Sequence, residues 1–470
     1  MHTRTLFAIL CLLFLGLAPA EQNYQLKTLT ELKFDKEIQD VAFESYEQNG
    51  QIKYYPKIVV LREIDSIASK GSYTKYELEV RILDREGKVI WNLPYLKYWS
   101  NVYFSNHGKY FGVYSATYDN PSADYQDRKI INSNFTVYND KGETTWQLPI
   151  RIDYNRPTIS SYDGSVFMIL NEEDAFGVGL DLYGKNGTKH TVVSYVNFLA
   201  DTINYVGWEN ISDDGKLTAA VISRGPPFGS FKRQHTLTLF DFKGSVLWQY
   251  LIPEAATGEL TISPKGGFVF IDGRTEIPRP QIPKESLIKG GMKRAPPPPQ
   301  YSSANIFIMN NKGELIMQIP TRISYTAGAF SNNERFLHFC DYTFKQGELN
   351  NLILIDLKSK KEIFRKEFSE RPVRAGVSNS GWVIEVWGVP DSARVPNKRT
   401  IPERSEFKLY LLNNEGNVIT QSEIQLSAED ISYFNLNFGA FRILGWNGNC
   451  PVFGLVEDKS KTIKILSIVK

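Results

Sequence analysis

A four-residue turn of the form Asp/Asn-x-x-Gly recurs along this chain and lies each time between two apolar runs. Successive copies are on average about 55 residues apart. The copies are Asp84–Gly87, Asn139–Gly142, Asp181–Gly184, Asp241–Gly244, Asn310–Gly313, Asp356–Ser359 (which ends in Ser) and Asn413–Gly416. Asp and Asn supply side-chain caps, and Gly supplies positive φ, so each copy predicts a tight hairpin.

A second turn, of the form Ser-x-x-Gly with variants, alternates with the first. Its copies are Phe104–Gly108, Ser161–Gly164, Ile211–Gly215, Ile262–Gly266, Phe330–Glu334 and Val377–Gly381, with degenerate copies at Phe43–Gly50 and Gly445–Gly448. A strand-like apolar run follows each one. Two hairpins in a unit of about 55 residues give four antiparallel strands, a to d, which is the composition of a propeller blade.

The two turns occur in unequal numbers, and this predicts how the ring closes. The a–b turn is present eight times and the c–d turn seven times, so the last unit lacks its fourth strand. The run from Tyr24 to Phe34 has no unit of its own, and we expect it to supply that strand. The sequence therefore predicts an all-β fold, a single propeller of eight four-stranded blades. Seven blades with an irregular C-terminal segment is the alternative.

Several strings resemble those of known propeller superfamilies. Asp84–Trp91 and Asp241–Trp248 look like the tryptophan-docking motif of quinoprotein blades, and Asn139–Trp146 differs only at its first residue. Ser212–Lys216 resembles the turn of TolB-type and WD-repeat blades. The chain thus resembles exported quinoprotein-like and WD-repeat-like propellers, and the resemblance implies a propeller fold without assigning one family. We expect Trp91, Trp146 and Trp248 to cover the outer strands and pack against neighbouring blades.

Charge and composition exclude some classes of protein. The 54 Lys and Arg residues against 52 Asp and Glu give a net charge of +2, which argues against a nucleic-acid-binding protein. Hydrophobic residues at 42% and aromatic residues at 13% argue against a largely disordered chain.

The N-terminal segment predicts export. A basic start, an apolar run from Leu6 to Leu17 and the string Ala18-Pro-Ala20 are typical of a signal peptide cleaved after residue 20. A retained N-terminal anchor is the alternative. We expect residues 21–470 to form the propeller in the periplasm or outside the cell. No later run is long and apolar enough to predict a membrane span.

Motifs for catalysis or for cofactor binding are absent from the sequence. There is no Gly-x-Ser-x-Gly string, no His-Glu-x-x-His string and no Cys-x-x-Cys-His string. The histidines after the signal peptide (His107, His190, His235 and His338) fall in different units, which argues against a histidine-based zinc site. Cys340 and Cys450 are expected to be two buried thiols rather than a disulfide. We therefore predict no catalytic, cofactor or metal residues.

Long insertions fall between strands b and c of six units. They are Asp65–Lys75, Thr117–Lys129, Gly225–Gln234, Gly273–Ser302, Thr343–Asn350 and Gly388–Ser405. Because b–c connections of a propeller emerge on one face, they predict a binding face. Gly273–Ser302 is rich in proline and, with Gly388–Ser405, supplies most of the cations that we predict to contact a partner: Arg274, Arg279, Lys284, Lys289, Lys293, Arg294, Arg394, Lys398 and Arg399.

Two functional hypotheses follow from these features. The first is a monomeric, non-enzymatic scaffold that binds a protein or an anionic glycan through the inserted loops. The second is a propeller enzyme, such as a lactonase, glycan hydrolase or lyase, with its site at the central channel. Clustered channel carboxylates with perturbed pKa values would favour the enzyme.

Overall fold

The strands of this chain form eight separate antiparallel sheets of four strands each. A computed structural model describes residues 24–64, 76–96, 101–104, 108–118, 130–150, 155–172, 178–193, 203–225, 234–253, 256–276, 301–322, 326–341, 349–388, 404–427, 441–457 and 461–470. Within these ranges the chain forms 32 strands and no helix. The described residues therefore include no helix of the length and apolarity needed to cross a membrane.

Blades 1 to 4 follow one another, and each pairs its strands in chain order. Blade 1 contains β2 (Glu37–Gln48), β3 (Gln51–Ile64), β4 (Tyr76–Leu83) and β5 (Val89–Leu96). Blade 2 contains β6 (Asn101–Phe104), β7 (Tyr110–Tyr118), β8 (Ile130–Asn139) and β9 (Thr144–Pro149). Blade 3 contains β10 (Asn155–Ser160), β11 (Val166–Glu172), β12 (Val178–Gly184) and β13 (Lys189–Val193). Blade 4 contains β14 (Ile203–Ile211), β15 (Leu217–Gly225), β16 (Gln234–Asp241) and β17 (Val246–Ile252).

Blades 5 to 7 repeat this arrangement, and blade 8 combines both ends of the chain. Blade 5 contains β18 (Ala256–Ile262), β19 (Phe268–Glu276), β20 (Tyr301–Asn310) and β21 (Leu315–Thr321). Blade 6 contains β22 (Thr326–Phe330), β23 (Phe336–Asp341), β24 (Asn350–Asp356) and β25 (Lys361–Phe368). Blade 7 contains β26 (Arg371–Val377), β27 (Val383–Gly388), β28 (Arg404–Leu412) and β29 (Val418–Ser427). Blade 8 contains β30 (Phe441–Asn447), β31 (Cys450–Glu457), β32 (Thr462–Val469) and β1 (Gln25–Lys33).

The N-terminal strand closes the ring as the unequal turn numbers predict. β1 pairs antiparallel with β32, from Gln25 opposite Val469 to Lys33 opposite Thr462. Blade 8 therefore has four strands, and the ring has eight blades. The prediction of an eight-bladed propeller is confirmed, and the seven-bladed alternative is wrong. Closure leaves no unpaired strand edge between the first and last blades.

The hydrophobic core lies between the blades. The first strands of neighbouring blades contact one another, so strand a of each blade is the innermost. Strands b and c are the more deeply buried strands in several blades, and in blade 6 both β23 and β24 are buried at every position. The outer strands instead alternate between exposed and covered residues, as β9 does. This gradient explains the mostly apolar sequences of inner strands such as β23 and β24.

The tryptophans predicted to pack between blades do so, each over the c–d turn of the next blade. A Cβ placed on Gly142 would lie 2.2 Å from the ring of Trp91. Gly187 lies against Trp146 in the same way, and Gly313 lies against Trp248. Each turn glycine also has a positive φ of 78–81°. Glycine is therefore required at these turns for two reasons: the backbone has a positive φ, and an aromatic ring leaves no room for a side chain.

One predicted turn lies at the wrong place. In blade 3 the c–d turn spans 184–188, with its positive φ at Gly187, and not Asp181–Gly184. Asp181 lies inside β12, where its carboxylate pairs with Lys189 at 2.8 Å and accepts a hydrogen bond from Thr191. Gly184 and Gly187 allow two registers for this hairpin. The contacts of Asp181 with Lys189 and Thr191 are formed in the register that is observed.

Candidate functional site

The two faces of the ring are built differently. Because the four strands of a blade alternate in direction, the a–b and c–d connections leave on one face, which we call the turn face. The b–c and d–a connections leave on the other, which we call the loop face. The six long insertions join strand b to strand c in blades 1, 2, 4, 5, 6 and 7. The strand ends that bound them thus open on the loop face.

The boundaries of the principal insertion differ from those predicted. β19 continues to Glu276 and β20 begins at Tyr301, so the connection in blade 5 consists of residues 277–300. In blade 7 the corresponding connection consists of residues 389–403. Eight of the predicted partner-binding residues fall in these connections and lie outside the described residues: Arg279, Lys284, Lys289, Lys293, Arg294, Arg394, Lys398 and Arg399.

Arg274 is the one predicted binding residue that the structure describes, and its placement in a loop was wrong. It lies in β19, and its side chain is only 9% exposed. Its guanidinium donates hydrogen bonds to Asp272, including one from Nε at 3.1 Å. Residues two apart on a strand share a face, so this pair is formed within one strand. Arg274 is therefore a buried ion-pair partner.

Other charged groups at the strand ends of the loop face also bind one another. Lys408 Nζ lies 2.9 Å from Glu370 Oε1. Burial raises the pKa of Glu370, but the hydrogen bond from Lys408 and others outweigh it and lower the pKa overall. Asp341 accepts a hydrogen bond from the backbone N–H of Arg322 at 2.9 Å. Glu370 and Lys408 thus compensate each other's charge inside the scaffold.

The turn face carries a belt of hydrogen bonds between the a–b turns of successive blades. From blade 3 to blade 1 these are Asp163 N–H to Asp213 O (3.2 Å), Asp213 N–H to Pro264 O (2.9 Å), Lys265 N–H to Glu334 Oε1 (2.6 Å), Asn333 N–H to Asn379 Oδ1 (2.8 Å), Ser380 Oγ to Asn449 Oδ1 (2.5 Å) and Asn447 Nδ2 to Ile52 O (3.0 Å). Short turns that bind one another leave little freedom on this face.

The blade 5 turn in this belt is capped by a residue of blade 6. In blades 3 and 4, Asp163 and Asp214 accept hydrogen bonds from the serine that opens their own turn. Blade 5 has Lys265 at that position, which has no acceptor atom. Glu334 Oε1 replaces it, accepting hydrogen bonds from Ser263 Oγ (2.5 Å), Lys265 N–H (2.6 Å) and Gly267 N–H (3.2 Å).

Glu334→Ala is therefore expected to lower the free energy of unfolding by ~2 kcal/mol, because it leaves three donors without their acceptor. Lys265→Asp supplies an acceptor within the turn itself, as in blades 3 and 4, and is expected to restore much of this loss. A double-mutant cycle by urea denaturation measures the coupling. If Lys265→Asp destabilises the Glu334→Ala chain as much as it does the parent, the proposed exchange of caps is wrong.

Asp213 is a turn-face carboxyl whose pKa is strongly raised. Burial, followed by the charges of Asp214, Asp163 and Glu334, raises its pKa to about 7. The neighbouring Tyr162 has its pKa raised to about 12, by burial and by Asp213 and Tyr54. Carboxyl groups with a pKa near 7 are found among catalytic general acids and bases, and also at buried structural positions.

The described cysteines and histidines only partly match the sequence predictions. Cys340 and Cys450 form no disulfide, as expected. Cys340 is buried, but Cys450 is only half-buried, so the prediction of two buried thiols is wrong for Cys450. The separation of the histidines by blade was also misleading, since His338 lies beside Cys340 and Glu385 of the next blade. Sequence spacing missed this group.

Comparison of the sequence with protein-family models and with curated proteins finds no match. Among solved structures, the chain is similar to the C-terminal WD40 domain of Sif2, with 9% identity and a TM-score of 0.47 over 95% of this chain and 99% of that one. The Dos1 propeller matches with 11% identity and a TM-score of 0.43, over 94% of this chain and 95% of that one. TolB from Acinetobacter baumannii matches with 13% identity and a TM-score of 0.29, over 67% and 64%. These likenesses concern the fold alone.

Proposed function

We propose that this propeller is an exported binding scaffold that recognises an anionic partner, a protein or an acidic glycan, through the insertions of its loop face. The observation that carries the proposal is the strand order. The two longest connections, residues 277–300 and 389–403, join strand b to strand c on the loop face, while the a–b turns of the opposite face bind one another in a belt. Loops held by a rigid scaffold are common sites of recognition.

The charge distribution indicates the chemistry of the partner. The sequence of residues 277–300 contains Arg279, Lys284, Lys289, Lys293 and Arg294 but only one acidic residue, Glu285. The described ion pairs at the loop-face strand ends, such as Asp272–Arg274 and Glu370–Lys408, already satisfy their own charges. Recognition of an anion therefore depends on the insertions, and proline in them reduces the entropy lost on binding.

The proposal is tested by replacing Arg279, Lys284, Lys289, Lys293 and Arg294 together with Ser. Retention on an immobilised sulfated glycan and retention on an immobilised acidic protein are measured in separate experiments. The parent should be retained by at least one of them in a salt-sensitive way, and the variant should elute at lower salt. Thermal stability should stay nearly unchanged because the blades hold the core.

The turn face offers a matched control. Five of the exposed lysines in its c–d turns are Lys88, Lys141, Lys185, Lys243 and Lys312. Replacing these five with Ser changes the net charge by the same amount on the opposite face. Equal loss of retention in both variants would show that bulk charge, and not the insertion, governs binding. Full retention of the insertion variant in both arms would also contradict the proposal.

A propeller enzyme remains the second candidate, and Asp213 is the observation that favours it. Its pKa of about 7 suits proton transfer near neutral pH, and Asp163, Asp214 and Glu334 are close enough to influence it. Turnover of a panel of lactones and acidic glycans tests this candidate. Activity in the parent that is lost in Asp213→Asn would support it, whereas activity that persists in the variant would exclude Asp213 as the catalytic group.

A further inference from the structure

Three side chains with metal-ligating atoms meet between blades 6 and 7. His338 and Cys340 are two residues apart on β23 and thus point to the same side of the blade. Glu385, on β27 of blade 7, faces them. Glu385 Oε2 lies 2.9 Å from His338 Nε2, and Oε1 lies 3.0 Å from Cys340 Sγ. Cys340 Sγ and His338 Nε2 are 3.9 Å apart.

The group is fully buried and incompletely bonded. His338, Cys340 and Glu385 are each 0% exposed, and Cys340 packs within the apolar core that Phe336 and Val383 help to form. Among the described residues, His338 Nδ1 has no hydrogen-bond partner. Glu385 Oε2 accepts no hydrogen bond of good geometry, although His338 Nε2 lies 2.9 Å from it at ion-pair distance. Buried polar atoms are costly when they are poorly satisfied, so this group has room for a further ligand.

We propose that His338, Cys340 and Glu385 bind a divalent metal ion of the zinc class and thereby link blades 6 and 7. Thiolate, imidazole and carboxylate are the ligands that Zn²⁺ takes in proteins. Zinc bonds of ~2.0–2.3 Å in a tetrahedron place donor atoms about 3.3–3.6 Å apart. The observed separations of 2.9, 3.0 and 3.9 Å differ from these by amounts that small side-chain rotations remove.

The charges of the group also favour a divalent cation. A thiolate, a carboxylate and a neutral imidazole carry two negative charges, so one divalent ion makes the buried site neutral. Without an ion, the buried Glu385 carboxyl has only the imidazole of His338 and the thiol of Cys340 beside it.

Such an ion would act in the structure rather than in turnover. None of its three ligands is exposed, so the site as described has no contact with solvent. Three protein ligands leave one coordination position for a water molecule or another small ligand. Because the ion binds only the assembled pair of blades, its binding free energy adds to the stability of the fold.

The proposal is tested by refolding the full chain from denaturant with Co²⁺ or with Zn²⁺, followed by removal of free metal. We expect one bound ion per chain by elemental analysis and a thiolate-to-cobalt charge-transfer band in the near ultraviolet. Zn²⁺ should raise the melting temperature of the parent. Cys340→Ser should abolish the charge-transfer band, and Glu385→Gln should weaken metal retention at least tenfold. Cys450→Ser is the matched control and should keep both the band and the ion.

Each other outcome overturns the proposal. A folded parent without a stoichiometric ion or without the charge-transfer band would show that the group is only a hydrogen-bonded triad. A band lost in Cys450→Ser but kept in Cys340→Ser would place the ion elsewhere. If Cys340→Ser does not fold, the spectra of the parent and of Cys450→Ser still show which described cysteine binds the ion. A band that persists in Cys450→Ser assigns the thiolate to Cys340.

Discussion

A chain that lacks residues 21–35 is expected to lose its cooperative unfolding transition and to aggregate. The deletion removes β1, which pairs with β32 along its whole length. It exposes the backbone donors and acceptors of a long apolar strand, which is a template for association with other chains. It also removes Leu32, whose side chain covers Gly87 of blade 1 as Trp91 covers Gly142 of blade 2. Circular dichroism during heating and size-exclusion chromatography measure both effects.

A peptide of sequence Tyr24–Phe34 provides the complementary test. Added during refolding of the truncated chain, it should restore the monomeric peak, because an extended peptide binds an open sheet edge through main-chain hydrogen bonds. A peptide of the same composition in scrambled order is the control and should not restore the peak. A truncated chain that stays monomeric and melts at the parental temperature would show that blade 8 is stable with three strands and that closure contributes little.

The fold could be predicted from the sequence because its turns impose backbone demands that only a few residues meet. Most c–d turn glycines, such as Gly87, Gly142 and Gly416, have positive φ and lie beneath a side chain of the preceding blade. Both constraints restrict these positions to glycine and are therefore visible in the sequence. Where the sequence offers two glycines for one turn, as in blade 3, the predicted position of the turn was wrong. Gly184 and Gly187 both fit the blade 3 turn in the sequence, and the structure places the turn at Gly187, with Trp146 over it and Asp181 paired with Lys189.

The loop boundaries failed for a different reason. The predicted insertion began at Gly273, so Arg274 and Glu276 were placed outside the strand. The chain nevertheless continues in β19, because Asp272 compensates the guanidinium of Arg274 inside the blade. Ion pairing between residues two apart on a strand thus allows charged residues within a buried element.

The His338 group could not be predicted from spacing because its members come from two blades. His338 and Glu385 are 47 residues apart in the sequence, and only the packing of β23 against the next blade brings them together. One signal was present. His338 and Glu385 each interrupt an apolar strand at a buried position, in the strings Phe336–Asp341 and Val383–Gly388. A polar residue within such a strand needs a partner, and two neighbouring blades each contain one.

Asp213→Asn is expected to stabilise the protein at neutral and alkaline pH. The pKa of Asp213 is raised from 3.8 to about 7, first by burial and then by the charges of Asp214, Asp163 and Glu334. The folded state therefore holds this proton more tightly than the unfolded state does. The stability associated with the proton is fully present below about pH 4 and is lost as pH rises to about 7. Asn keeps the shape of the side chain without the charge.

The difference between the folded-state and unfolded-state pKa of Asp213 also limits how much stability the substitution can add. A rise from 3.8 to about 7 corresponds to about 4 kcal/mol at most. Since the carboxyl keeps some contact with water, we expect a gain of ~2 kcal/mol for Asp213→Asn at pH 8. The gain should decrease to zero near pH 4, where the parent is protonated. Urea denaturation of parent and variant across this range measures it, and the difference between the two curves isolates Asp213 from other titrating groups.

Asp214→Asn separates the titration of Asp213 from a general effect of removing charge at this turn. Burial raises the pKa of Asp214, but hydrogen bonds from Lys216 and Ser212 outweigh it and lower the pKa overall. Its replacement should therefore not reproduce the gain in stability. Asp213 stays ionisable in this variant, so the fall in stability with rising pH should persist, shifted to lower pH because one neighbouring charge is gone. If Asp213→Asn instead follows the parental curve from pH 4 to pH 8, Asp213 is ionised at no cost in the folded state, and the case for a catalytic carboxyl at this turn also fails.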